Sequence, residues 1–386
     1  MESDLQAHGA LSPDVLLIAP PAGRRARAFQ ESLRAHGWPP ARVVSYLDLM
    51  EGRLSLPALI RPGSNGGRGT VVRFDSPGED VETELALTLR GGPPAGLAAD
   101  LAAGELARSR AWFAGFGAVM RDLDRELRQA PAHLRMQRTE HLLTMFDKPA
   151  THARLQAAGV PVPAVLPEVH SLDELLHAAR ERGWARVFVK LAYGSSASGA
   201  VALEWSGERV QAVTTVRQEC GRLYNSRRLR RLTTWPEVRS LVDALAPERL
   251  HVERWLPKAS FAGRAMDLRV VVIGGRAGHA LVRLGRGPIT NLHLGNERGD
   301  IDAFRAEIGA EHWRAVQRTC VSALAAFPGA LYGGVDLMLT PGWRRLAVLE
   351  VNAFGDYHRG VLAPGPDGAT RDTYAAELHA LLANQA

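Results

Sequence analysis

The chain has 386 residues, too many for one ordinary core and enough for two or three domains. Hydrophobic residues make up 46% and charged residues 23%, which excludes a disordered or fibrous chain. The net charge of +6 admits a polyanionic partner, and the two cysteines, Cys220 and Cys320, lie far apart without metal-ligand spacing, which argues against a disulfide framework and a zinc site.

In chain order, the first apolar run is Val15 to Ala19. It is too short for a signal-peptide core or a membrane span, so a cytoplasmic chain with no membrane partner is expected. The run reads as a buried strand ending at Pro20-Pro-Ala-Gly23. Arg27 to His36 has a helical pattern, and Val43-Val44 and Val71 to Phe74 read as strands. Together they predict a small α/β domain over roughly the first hundred residues. Residues 61–69 read as a loop, and Leu97 to Leu127 as one or two helices.

Asp147-Lys148-Pro149 predicts a helix start, since Asp caps and Pro is tolerated in the first turn. Ser171 and Glu174 have capping-box spacing at the start of a helix to Arg182. Strands are predicted at Trp184 to Lys190, Val201 to Trp205, Leu250 to Trp255, Arg269 to Ile273 and Ala280 to Leu284. A long helix over Glu311 to Ala326, a strand pair at 335–339 and 346–351, and a helix over Thr373 to Leu382 complete the chain. Residues 216–241 read as a long basic insertion.

Of the 47 basic residues only Lys148, Lys190 and Lys258 are lysine. A compact ammonium and a planar guanidinium are not interchangeable, so in a chain this rich in arginine the three lysines are candidates for function. Lys190 ends a strand and precedes a Gly/Ser loop, Gly194 to Gly199, whose N–H groups and hydroxyls suit phosphate oxygens; a plain hairpin is the alternative. Asp336 sits in an apolar strand, and Glu350 and Asn352 share one face of the next, so three oxygen ligands can meet at a magnesium ion. Arg269 and Arg283 lie on a hairpin that can aim both at one pocket. Asn291 and His293 share a Gly-flanked loop that can orient a substrate or simply bond its own backbone. The run Arg227 to Arg231 reads as a solvated or phosphate-facing charge run, since the motifs of nucleic-acid binding are missing.

The ordered series over residues 141–362 resembles the ATP-grasp superfamily. The segments Asp267-Leu-Arg-Val-Val, Asn291-Leu-His-Leu-Gly and Glu350-Val-Asn are most similar to the branch of the ribosomal-protein glutamate ligase, with the glutathione synthetases further off. The resemblance implies an α/β plus α+β fold: an N-terminal domain over 1–140, an ATP-grasp N-lobe over 141–255 and a C-lobe over 256–386. It implies that Lys148 and Lys190 contact the ATP phosphates and that Gly194, Ser195, Ser196 and Gly199 close over them. Glu253 or its neighbours, with the backbone near Trp255 and Leu256, would hold adenine, and Lys258 would lie near the ribose. Asp336, Glu350 and Asn352 would bind one or two Mg²⁺, with Mn²⁺ able to substitute. Arg269 and Arg283 would steady the γ-phosphate and an acyl-phosphate, while Asn291 and His293 line the substrate pocket.

The implied function is an ATP-dependent ligase that joins a small-molecule or peptide carboxylate to an amine or thiol acceptor. Two alternatives stay open: a kinase on the same fold that phosphorylates a hydroxyl, and a basic binding protein with a degenerate ATP site. A homodimer is also left open. The segment Arg73 to Gly78 can help hold the acceptor or can be a turn from strand to helix.

Overall fold

The computed structural model describes residues 14–63, 69–78, 80–92, 104–106, 108–195, 197–354 and 359–383. Ser196, residues 64–68 of the expected loop and residues 97–103 of the expected helical stretch lie outside them.

The N-terminal unit runs β1 (Val15–Ile18), α1 (Arg24–Ala35), β2 (Arg42–Val44), α2 (Tyr46–Met50), α3 (Leu56–Leu59), β3 (Val71–Phe74), α4 (Val81–Arg90), α5 (Ser109–Gln129) and β4 (Leu134–Arg135). Its strands form a parallel sheet in the order β2-β1-β3-β4. All four residues of β1 are buried, as expected where helices cover both faces of a parallel sheet. Helices α4 and α5 touch backbone to backbone. A Cβ on Gly91 would collide with Ala111 O, and one on Gly115 with Leu87 O. Strand β4 completes the sheet and was not legible in sequence, because two half-buried residues carry no alternation.

The next unit runs α6 (Thr139–Phe146), α7 (Lys148–Ala157), α8 (Leu172–Glu181), β5 (Arg186–Leu191), β6 (Val201–Ser206), β7 (Arg209–Glu219), β8 (Arg222–Leu232), α9 (Trp235–Leu245) and β9 (Leu250–Arg254). Its antiparallel sheet has the order β8-β7-β6-β5-β9. Asp147 caps α7 through Ala150 N at 2.9 Å. Ser171 caps α8 through Glu174 N, but Glu174 returns its bond to His170 N at 2.8 Å, one residue earlier than a capping box requires. The basic stretch 216–241 is not a loop-like insertion. It completes the β7–β8 hairpin and opens α9, and Arg227, Arg228, Arg230 and Arg231 stand exposed on the edge strand β8.

The last unit runs β10 (Ser260–Phe261), β11 (Arg264–Ile273), β12 (Arg276–Gly285), β13 (Glu297–Gly299), α10 (Ile301–Ala325), β14 (Tyr332–Leu339), β15 (Leu346–Asn352) and, after two short strands, α11 (Thr373–Ala383). Its antiparallel sheet has the order β13-β12-β11-β14-β15. Helix α10 begins ten residues before the expected Glu311. Asp300 caps it, and Gly309 breaks it at φ 77°, a value that a side chain disfavours. Helix α11 returns to the N-terminal unit, where Tyr374 packs edge-on against Phe29 of α1 at 5.2 Å.

Candidate functional site

Strand parity builds the site. On β5, Val187, Val189 and Leu191 enter the core, so Phe188 and Lys190 take the other face. Lys190 stands opposite His251 and Phe188 opposite Glu253 on β9, which places all four on that face. In the last sheet Asp267 stands opposite Arg283, Arg269 opposite Asp336, and Asp336 opposite Glu350. Asn352, two residues beyond Glu350, shares its face. Two charged sheet faces therefore meet. Lys190 Nζ donates to Leu349 O of β15 at 3.4 Å, and Lys148, the first residue of α7, lies 3.0 Å from Glu350 Oε1.

Lys148 also donates to Gly194 O, which ties the helix start to the Gly/Ser loop. The glycines of that loop are sterically required. Gly199 has φ +71°, and a Cβ there would run into the Leu191 side chain. Ser195 is exposed, and its carbonyl accepts from Ser198 N at 2.8 Å.

Lys190 Nζ lies 2.6 Å from Glu253 Oε1, and His251 Nε2 lies 3.1 Å from the same oxygen. Burial raises the Glu253 pKa, but Lys190 and His251 outweigh it and hold the carboxyl at about 2. Burial pushes His251 down, opposed by Glu253. Arg269 grips Asp336 with two nitrogens, Nη2 to Oδ2 at 3.0 Å, and Arg283 Nη1 reaches Asp336 Oδ2 at 3.2 Å. Arg283 Nε donates to Asp267 Oδ1 at 2.6 Å, and Lys258 Nζ to Asp267 Oδ2 at 2.8 Å. Burial opposes ionisation of Asp267, yet Arg283 and Lys258 hold it well below the usual carboxylate range. Burial pushes Lys258 down, with Asp267 opposing.

Contacts thus bring together Lys148, Lys190, Glu253, Arg269, Arg283, Asp336 and Glu350, with Lys258 joined through Asp267. Two expectations change, and a third that the sequence left open takes one of its two readings. The Glu253 carboxylate is the counter-ion of Lys190 and His251, so it is not a free hinge acceptor for adenine; Trp255 and Leu256 follow it half-buried. Lys258 is drawn to Asp267 and Thr290 rather than left at an open ribose position. The segment from Arg73 to Gly78 is a strand end and turn. Arg73 is wholly buried beneath Phe29, Tyr332 and Tyr374 and pairs with Glu377. Asp75 pairs with Arg25, which also donates to Phe354 O at 2.6 Å.

Asn291 accepts from His293 N at 3.0 Å, the local bond that the sequence left open. His293 is exposed. No hydrogen bond joins either side chain to the charged face among the described residues. Sequence reasoning missed His251 and Asp267, although each sits two residues from a chosen one on the same strand face. It also missed His152, which joins Lys148, Thr151, His251, Glu253 and Leu349 in lining a pocket between the units. Only the tertiary fold brings His152 there, its ring 5.6 Å from that of His251.

The donor set suits a hard divalent cation held together with phosphates. Asn352 commits its Nδ2 to Gly334 O at 3.0 Å, so its oxygen is the end a cation would meet, beside the carboxylates of Asp336 and Glu350. Both carboxylates here hold cationic side chains; a metal would take over the carboxylates, and phosphates would take over the cationic side chains. Among the described residues no three His, Cys, Asp or Glu side chains form a metal cage by themselves. Across the face, Lys148, Lys190, Lys258, Arg269 and Arg283 meet four carboxylates, so cations are in excess.

No protein-family model matches the sequence, and no curated protein matches it. Solved structures do match. D-cycloserine synthetase DcsG has a TM-score of 0.54 at 15% identity, over 96% of this chain and 99% of its own. The ATP-grasp ligase PsnB, complexed with a phosphomimetic variant of its minimal precursor, Mg and ADP, has a TM-score of 0.51 at 16% identity, over 97% and 100%. The ADP complex of N5-carboxyaminoimidazole ribonucleotide synthetase has a TM-score of 0.52 at 13% identity, over 93% and 72%. The chain has the ATP-grasp fold. Its small N-terminal α/β unit and the two sheets that follow are the expected architecture, and the charged faces lie between those two sheets.

Proposed function

We propose that this chain is an ATP-dependent ligase that activates a carboxylate as an acyl-phosphate and passes it to an amine or thiol. The observation that carries the reading is the meeting of two charged sheet faces, with lysines from one and arginines and carboxylates from the other. Phosphoryl transfer asks a protein mainly for positioning and charge neutralisation, and this face offers both.

In this reading Lys148 and Lys190 hold phosphate oxygens, and Arg269 and Arg283 stabilise the charge that builds on the transferred group. Asp336, Glu350 and Asn352 would hold Mg²⁺, which neutralises phosphate charge when bound. A carboxylate oxygen attacks the γ-phosphorus and ADP leaves; the acceptor then attacks the acyl carbon and inorganic phosphate leaves. Of the neighbours named above, PsnB is described as an ATP-grasp ligase with Mg and ADP, and two are described as synthetases, one of them in an ADP complex, which supports the reading.

The test is an ADP-release screen over carboxylates paired with amines or thiols, with hydroxyl compounds screened alongside, and mass detection of the product. An amide or thioester product is expected. ADP release that needs only a hydroxyl compound, and yields a phosphate ester, would sink the ligase reading in favour of a kinase.

A further inference from the structure

The proposed chemistry leaves Lys258 without a task. Its Nζ lies 2.8 Å from Asp267 Oδ2 and 2.6 Å from Thr290 Oγ1, and Thr290 donates its hydroxyl to the same carboxylate oxygen. The three groups close a ring. Arg283 takes the remaining Asp267 oxygen at 2.6 Å. Asp267 and Thr290 are both 2% exposed, so little water competes for these bonds. A compact ammonium fits between two acceptors this close, where a planar guanidinium needs more room.

Thr290 is also the root of the loop that carries Asn291 and His293. Beyond it the loop is bonded to itself: Asn296 Nδ2 donates to Ile289 O and Asn291 O, each at 2.9 Å, and Asn291 caps His293 N. The ring through Thr290 is therefore the side-chain tie between this loop and the charged face among the described residues.

We propose that Lys258 is a positioning residue that, with Asp267, pins Thr290 and so sets the Asn291/His293 loop against the Arg283–Asp336 pair. What the loop positions, the acceptor, rests on the ligase reading; the pin itself does not. Two variants cut the ring from opposite sides. Lys258→Met removes the charge and keeps the length, with Arg283 still paired to Asp267. Thr290→Val leaves the Lys258–Asp267 pair intact.

The test uses the full chain and two measurements. Hydrogen exchange over residues 286–296 is expected to speed up in both variants. Using the carboxylate–amine pair that releases most ADP in the screen, both should raise the KM for the amine by about tenfold, the scale of one charge-assisted hydrogen bond, and leave the KM for ATP within about twofold. Unchanged exchange over 286–296 in both variants would overturn the proposal. So would a raised KM for ATP in Lys258→Met with Thr290→Val at wild-type values, which would make Lys258 a nucleotide contact. If the wild-type chain releases no ADP with any pair, the ligase reading fails, and exchange alone decides the pin.

Discussion

Lys148 and Glu350 form an ion pair between α7 and β15, Nζ to Oε1 at 3.0 Å. The pair joins a candidate phosphate ligand to a candidate metal ligand. Mg²⁺ and phosphate together would supply each with a new partner, whereas ATP alone would leave Glu350 facing added negative charge. Mg-ATP is therefore expected to raise the melting temperature more than ATP with a chelator. At a hundredfold excess over Kd the stabilisation is about 2.7 kcal/mol. Glu350→Gln should erase the difference between the two conditions in a thermal-shift titration.

Asp336 is buried and pairs with both Arg269 and Arg283, the latter shared with Asp267. Removing one partner of a buried ion pair strands the other, at roughly 3–5 kcal/mol. Asp336→Ala should lose ADP formation and unfold at lower urea. Asp336→Asn keeps the shape and some hydrogen bonding, so it should unfold nearer to wild type while still losing activity. A fully active Asp336→Asn would remove this residue from the metal set.

Glu253 sets an acid limit on stability. Its folded pKa, about 2, lies below the ordinary 4.5. The stability it contributes is present above 4.5 and is lost as pH falls from there through about 2. Urea unfolding of wild type and Glu253→Gln should differ by up to about 3 kcal/mol at pH 7, by less as pH falls below 4.5, and converge only below about pH 2.

Glu377 should behave in the opposite sense. Burial raises it and Arg73 opposes, leaving it at about 7. A raised carboxyl favours the protonated fold, so its contribution is complete below 4.5 and is lost as pH rises through about 7. Glu377→Gln cannot titrate. The stability of wild type relative to this variant should fall between pH 4.5 and 7 and stay level above, as read by unfolding at fixed pH values.

Gly115 and Gly91 let α5 and α4 cross in backbone contact. Gly115→Ala would force the helices apart, an overpacking cost of about 1–3 kcal/mol. Circular dichroism melting should show the loss. Gly159→Ala is a poor control, since Gly159 has φ +71° and would add strain of its own.

Much of the site was legible along the chain because strands alternate. Glu350 and Asn352 were placed on one face by their spacing, and Asp336 stood out as a charge in an apolar strand. Asp147-Lys148-Pro149 announced the start of α7 through capping chemistry alone. The hairpin β7–β8 escaped the same approach. With Arg at so many positions of β8, no alternation marks a face, although the backbone pairs from residue 222 to 232.

The sequence alone determined the kinds of groups present, their order and the local elements that carry them, because capping, strand parity and glycine turns act over a few residues. It also carried the resemblance that anticipated the fold. Partnership was decided only in three dimensions. Glu253 could be an adenine acceptor or a lysine's counter-ion until β5 paired with β9, and Arg73 could face solvent until α11 brought Glu377 to it. Lys258 met Thr290 because β11 and the end of β12 lie side by side. Charge pairing falls off over a few ångströms, while the partners here stand from 9 to 304 positions apart in the chain, so spacing alone could not choose among them.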